Sequence, residues 1–131
     1  MIKVFLGGTC NDSNWRDVLM PMLLNRDIEY FNPVVDDWTD DCQAEEERQK
    51  ELCTIQLYVI TPKMKGVFSI AEVVDSSNKH PLGTILVVLE QDDELKFNKG
   101  QMMSLNAVKK MVKNNGASVF DTLEQIANAI S

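Results

Sequence analysis

The stretch KGVFSIAEVVDSSNK, residues 65–79, is mostly apolar or small in its interior, yet Glu72 sits in its middle. Ser69, Glu72 and Ser76 recur at i, i+3 and i+7, one side of a helix. Val67, Ile70, Ala71 and Val74 share another side and are expected to face the core. A carboxylate in the first two turns of a helix is favoured by the backbone dipole. Beside a hydroxyl at the ligand end of a domain, such a group suits a nucleophile. It equally suits a solvated glutamate near a helix start, and spacing alone favours that second reading.

Other residues could bear on chemistry. Gly7 and Gly8 close the first apolar run. They would admit a ligand close to the backbone, or serve a turn that needs positive φ. Neither GxGxxG nor GxxxxGK[ST] is present, so no dinucleotide or phosphate loop is indicated. Asp36 and Asp37, beside Trp38, could hold sugar hydroxyls or a base edge; a solvated loop is the competing reading. Lys63 and Lys65 could meet a 5′-phosphate or simply be solvated. His80 is the one histidine and precedes Pro81 in an expected loop, so any Ser/His/Asp triad would have to use it; an exposed loop residue is the favoured reading. Cys10, Cys42 and Cys53 are odd in number and lack CxxC or Cys/His spacing. That argues against a disulfide framework or a metal site and fits free thiols in a reducing cytoplasm.

Positioning these residues falls to alternating elements. IKVFLGG (residues 2–8) reads as a buried strand. Residues 13–26 have helical apolar spacing at Trp15, Val18, Leu19, Met22 and Leu23, with Asp12 or Ser13 as cap and Pro21 expected to kink or interrupt the helix. IEYFNPVV is a second strand. Residues 39–53 form a polar helix capped by Thr39 or Asp40. IQLYVIT, a nearly unbroken apolar run, is a strand covered on both faces. Residues 65–79 are the third helix, GTILVVLE the fourth strand, and residues 100–116 the fourth helix with Gly116 as its stop. ASVF and DTLEQIANAI complete the series. Strict alternation predicts an α/β fold: one doubly wound five-stranded parallel sheet, flavodoxin-like or Rossmann-like, in the order 2-1-3-4-5. Ligands would then bind beyond the carboxyl ends of strands one and three.

The 131 residues suit a single domain over residues 1–131, with 44% hydrophobic and 25% charged residues as in ordinary globular chains. A net charge of −7 disfavours nucleic-acid polymers and anionic membranes as partners. Lys109, Lys110 and Lys113 read as a solvated helix face. No apolar run reaches the roughly 20 residues of a membrane helix, and the N-terminus lacks signal-peptide features. A phosphoacceptor receiver would need an acid pair after strand one, where GGTCN stands instead. As a flavodoxin phosphate loop, GGTCNDSN is a poor version.

Taken in order, KVFLGGT, YFNPVVDDW, CQAEEERQK and LYVITPKMKGVFSIAE resemble the nucleoside 2-deoxyribosyltransferase-like family, more narrowly its short bacterial and phage branch. The resemblance runs from residue 2 to about residue 90. It implies transfer or hydrolysis at the N-glycosidic bond of a 2′-deoxynucleoside or deoxynucleotide, through a covalent deoxyribosyl-glutamate and with no cofactor and no metal. Glu72 matches the nucleophile. Gly8 and Thr9 match the strand end lining the sugar pocket, and Asp36 and Asp37 fall where members contact base or sugar. Glu45, or its neighbour Glu46, falls near an acidic position used in base protonation. Ser69 takes the place of a small residue that lets substrate approach. Family sites are often completed by a neighbouring subunit, which implies a homo-oligomer. The chain departs from the family pattern in lacking glycines around Glu72 and in having Gly66 where some members have aspartate. Those departures favour a second reading, a catalytically silent nucleotide-binding or sensing module.

Overall fold

Strand and helix alternate along nearly the whole chain, and the hydrophobic spacing accounts for most of the boundaries. The computed structural model describes residues 2–10, 12–35 and 39–130. In chain order these form β1 (Lys3–Gly8), α1 (Trp15–Leu24), β2 (Glu29–Phe31), α2 (Asp40–Leu52), β3 (Ile55–Ile60), α3 (Phe68–Lys79), a short 3₁₀ turn, β4 (Thr84–Val88), β5 (Gln91–Asp92), β6 (Leu95–Lys96), α4 (Lys99–Asn114), β7 (Ser118–Phe120) and α5 (Leu123–Ile130). The main sheet is parallel throughout, in the order β2-β1-β3-β4-β7. Counting only its own strands, this is the predicted 2-1-3-4-5 arrangement.

Alternation along β3 and β4 divides the core in two. Leu57, Val59, Ile85 and Val87 pack with Trp15, Leu19 and Leu23 of α1 and with Leu123, Ile126 and Ile130 of α5. Tyr58, Ile60, Leu86 and Val88 pack on the other face with Val73 of α3 and with Leu105 and Val112 of α4. Phe5 points to that second face, where α2 crosses it: Lys50 Nζ lies 5.5 Å above the Phe5 ring. Lys110 and Lys113 of α4 are exposed, and Lys109 reaches Asp121 at 3.4 Å.

Several local expectations are corrected. Pro21 does not interrupt α1; the helix continues through it, and the Pro21 carbonyl accepts from the Asn25 N–H at 3.0 Å. Burial of Trp15, Leu19 and Leu23 along one side outweighs the single missing donor. Neither Asp12 nor Ser13 caps this helix. Asn14 takes the N-cap position without a side-chain bond, and the Ser13 hydroxyl donates to Asp92 at 2.5 Å. Between β4 and α4, where the sequence reading assigned no element, lies the antiparallel β5–β6 hairpin, turned at Asp93 with φ of 53°. In α3 the inward face is also shifted. Val67 precedes the helix and is 72% exposed, Ala71 is exposed, and Val73, Ser76 and Ser77 are buried. Two serines can face inward because each hydroxyl has a partner: Ser76 pairs with Thr84 at 2.6 Å and Ser77 donates to the Val74 carbonyl at 2.6 Å.

The Thr39 cap of α2 holds as expected, and α4 starts at Asn98, a cap the sequence reading did not name. Thr39 accepts from the Cys42 N–H at 3.2 Å. Asn98 and Gln101 form a reciprocal capping box, with bonds of 2.8 and 2.9 Å. Replacing Asn98 by alanine strands the donors at this end, and urea unfolding is expected to show a loss of about 1 kcal/mol.

Candidate functional site

The end of β1 is fixed by strong local constraints. Gly8 has φ of 117°, and a Cβ there would lie 2.1 Å from the Val59 carbonyl oxygen. The chain can therefore bend against β3 only without a side chain. One residue later, Thr9 is buried and joins the two strands. Its N–H donates to the Val59 carbonyl at 2.9 Å, and its hydroxyl accepts from the Thr61 N–H at 3.0 Å.

Arg16 locks the same bend from α1. Its guanidinium is buried and donates to the carbonyls of Leu6, Thr9 and Gly8 over 2.7 to 3.4 Å. The Trp15 indole donates to the Thr9 carbonyl at 2.8 Å, and the Arg16 guanidinium stacks 4.3 Å from the Trp15 ring centre. Burial works against the Arg16 charge; Cys10 and Glu46 oppose that shift.

Beyond this bend lies a cleft of about 370 Å³ at the carboxyl end of β1, enclosed by the segment after β2, by α2 and by the start of α3. Gly7 and Gly8 form its floor, Pro33, Val34, Val35 and Phe68 its apolar walls, and Glu46, Ser69 and Glu72 its polar face. It sits at the reversal of strand order, where open α/β sheets bind ligands. A wider groove of about 450 Å³ continues past Phe68 and Glu72 between α2 and α3. Glu72 lines both spaces, so its carboxylate stands at their junction.

Three charged side chains meet there. Lys50 of α2 is ion-paired and hydrogen-bonded to Glu72 Oε2 and lies 3.8 Å from Glu46 Oε1. The Glu72 side chain is 15% exposed and that of Lys50 28%. Burial pushes the Glu46 carboxyl up, Lys50 pulls it back, and Glu72 and Glu47 add to the rise. Burial also raises the Tyr58 hydroxyl behind them, with Glu72 and Glu46 contributing.

The structure brings Glu72, Ser69 and Gly8 together in one cleft. Thr9 is adjacent, but its hydroxyl is taken up in the β1–β3 junction. Glu45 is elsewhere: it accepts from Arg48 at 2.7 and 2.9 Å and from Gln49 at 2.9 Å. Those bonds hold its carboxyl down at about 2, so near neutrality it carries no proton to donate. Its neighbour Glu46 occupies the cleft instead. Asp36 and Asp37 lie outside the described residues. Lys63 is neither solvated nor available to a phosphate: it binds the Asp12 carbonyl at 3.1 Å and pairs with Asp93, pinning the β5–β6 hairpin. Among the described residues no group of three or more His, Cys, Asp or Glu could hold a metal. Sequence reasoning missed Lys50, Arg16 and the apolar walls. The i, i+4 spacing of Glu46 and Lys50 was a usable signal for the first; nothing in the sequence announced the others.

Two outcomes follow from this geometry. Gly8→Ala places a methyl group against the β3 backbone and should lower stability by about 3 kcal/mol or more in thermal unfolding. The raised Glu46 carboxyl means that the folded state binds more protons than the unfolded chain. Stability contributed by this group is therefore greatest below the ordinary glutamate range and falls as pH rises towards the folded-state value. Glu46→Gln should flatten that fall when melting temperature is followed from about pH 4 to about pH 8.

No curated protein matches the chain. The family model for nucleoside 2-deoxyribosyltransferase-like proteins matches residues 1–92, a span that includes β1 to β4 and every residue named around the cleft. With most of its length and its whole candidate site inside that match, the chain belongs to the nucleoside 2-deoxyribosyltransferase-like family.

Proposed function

We propose that the protein cleaves or transfers the N-glycosidic bond of a 2′-deoxynucleoside or deoxynucleotide, with Glu72 as nucleophile and Glu46 as general acid. The observation that carries this reading is the meeting of two carboxylates with different surroundings at one glycine-floored cleft. Glu72 faces a cation, whereas the Glu46 carboxyl is pushed up by burial. Environments that separate two carboxyl groups are what acid and nucleophile roles require. The volume of about 370 Å³ is in the range of small-molecule sites, and Pro33, Val34, Val35 and Phe68 offer apolar walls to a flat base.

In the first step a Glu72 oxygen attacks C1′ as the C1′–N bond breaks. The bond's electron pair goes to the base, which takes a proton from Glu46. In the second step water, or an incoming base, attacks C1′ and gives its proton to Glu46, and the ester electron pair returns to Glu72. Gly7 and Gly8 leave room for the sugar, and Ser69 leaves space beside the nucleophile. Asp36 and Asp37 are the further candidates for contacts to base or sugar. The reading extends to a homo-oligomer in a reducing cytoplasm. Supporting it are Phe68, 73% exposed at the mouth of the cleft, and an odd number of cysteines without CxxC or Cys/His spacing.

A second reading has its own support. The Lys50–Glu72 ion pair engages the carboxylate that must attack. A binding or sensing module would keep the cleft and that pairing, and would hold a nucleotide without releasing its base.

Incubation with a panel of 2′-deoxynucleosides and their 5′-monophosphates, with and without free adenine, separates the two readings chromatographically. The enzyme reading expects free base or a new deoxynucleoside. Glu72→Ala should abolish the product, and Glu46→Gln should slow it about 10²–10⁴-fold. Ligand binding without base release across the panel, by a folded protein, would establish the module instead.

A further inference from the structure

We infer that Lys50 is a switching counterion, which pairs with Glu72 before attack and with Glu46 once Glu72 has become an ester. The inference rests on the glycosidic reading above and adds to it a positioning residue. Its ground is geometric. One ammonium group touches Glu72 Oε2 and lies 3.8 Å from Glu46 Oε1. Lys50 and Glu46 share a helix at i, i+4, whereas Glu72 comes from α3. A small rotation of one flexible side chain thus moves the charge between the two without moving the backbone.

The charge count through the first step explains why such a group is needed. On the glycosidic reading Glu72 attacks as an anion, Glu46 brings the proton it will donate, and Lys50 is a cation. Afterwards Glu72 is a neutral ester, Glu46 is an anion and Lys50 is unchanged. The net charge of the trio is zero in both states, but the negative charge has moved from α3 to α2. Without a mobile cation, the new Glu46 carboxylate would form in a partly buried site with the Glu72 charge removed but no contact partner gained. With Lys50 it gains one as Glu72 gives one up. Glu72 is among the groups holding the Glu46 carboxyl up, so esterification of Glu72 itself eases the proton's departure. The second step reverses the exchange: Glu46 takes the proton from water or base, and Lys50 returns to the regenerated Glu72.

Other charged or titratable groups surround the trio, among them the Cys10 thiol beside Arg16. Arg16 of α1 is spent on carbonyls, Glu47 belongs to the same helix as Lys50, and Tyr58 of β3 lies buried behind. On the α3 side Asp75 pairs with Lys79 at 3.0 Å, and His80 and Glu51 line the wider groove. Among the described residues Lys50 alone touches one carboxylate and lies within 4.0 Å of the other.

The test compares wild type, Lys50→Met and Lys50→Arg on whichever panel substrate the wild type cleaves best, with kcat and KM measured across pH. Removing the cation should lower kcat about 10²-fold at the wild-type optimum, with KM little changed. Both limbs of the bell-shaped profile, which belong to the coupled carboxylate pair, should move to higher pH by about 1 to 3 units. Lys50→Arg, still a cation, should keep the profile near its wild-type position. An unmoved profile in Lys50→Met, or a loss confined to KM, overturns the inference while leaving the glycosidic reading intact. If Lys50→Met does not fold, Lys50→Arg decides: a profile displaced as far as loss of the charge predicts would overturn it. Absence of base release by the wild type itself would remove the glycosidic reading, and this inference with it.

Discussion

Everything at the cleft depends on a buried guanidinium. Arg16 spends its donors on three carbonyls at the end of β1, where the chain turns away from the sheet. Burial works against this cation, and the Cys10 thiol beside it and Glu46 across the cleft support its charge. The bend it holds is one that only glycine can take at residue 8, with the next residue tied to β3 through both its backbone and its hydroxyl. The floor of the site is thus rigid, and on the proposed glycosidic reading that rigidity would hold a sugar close to a carboxylate.

Around that floor the charges are sorted by partner. The chain carries an excess of acid, with a net charge of −7, yet the lysines nearest the cleft each have assigned work. Lys50 belongs to Glu72 and Glu46; Lys63 holds the hairpin to the turn that follows β1. Electrostatics therefore does two different jobs within a short distance. One ion pair fixes the frame, and the other lines the cleft.

The topology was legible because its signals are redundant. Strands β3 and β4 are apolar on both faces, helices recur between strands, and right-handed crossovers leave few alternatives. Glu72 was legible in position but not in role. Its place in the second turn of α3 follows from spacing; its contact with Lys50 bridges 22 residues and two elements, which no local pattern encodes. The choice between Glu45 and Glu46 shows the same limit. The two are adjacent, and only the direction in which α2 presents them sends one to Arg48 and the other to the cleft. The Pro21 and α3 expectations failed because tertiary packing and paired hydroxyls overrode a local preference, while the hairpin was too short to announce itself.

The unequal anchoring of the two site helices has a consequence for how the molecule breathes. α3 is seated by Val73, Ser76 and Ser77, with Ile70 and Val74 packed beside them. α2, which carries both Glu46 and Lys50, buries Gln49 alone. A helix with so little apolar surface committed to the core belongs to the low-stability end of a native structure and can open while the sheet stays folded. Its amides would then exchange with solvent well before those of β1, β3 or α3. The proposed nucleophile thus sits on the firmly packed helix, and the proposed acid and counterion sit together on the weakly packed one.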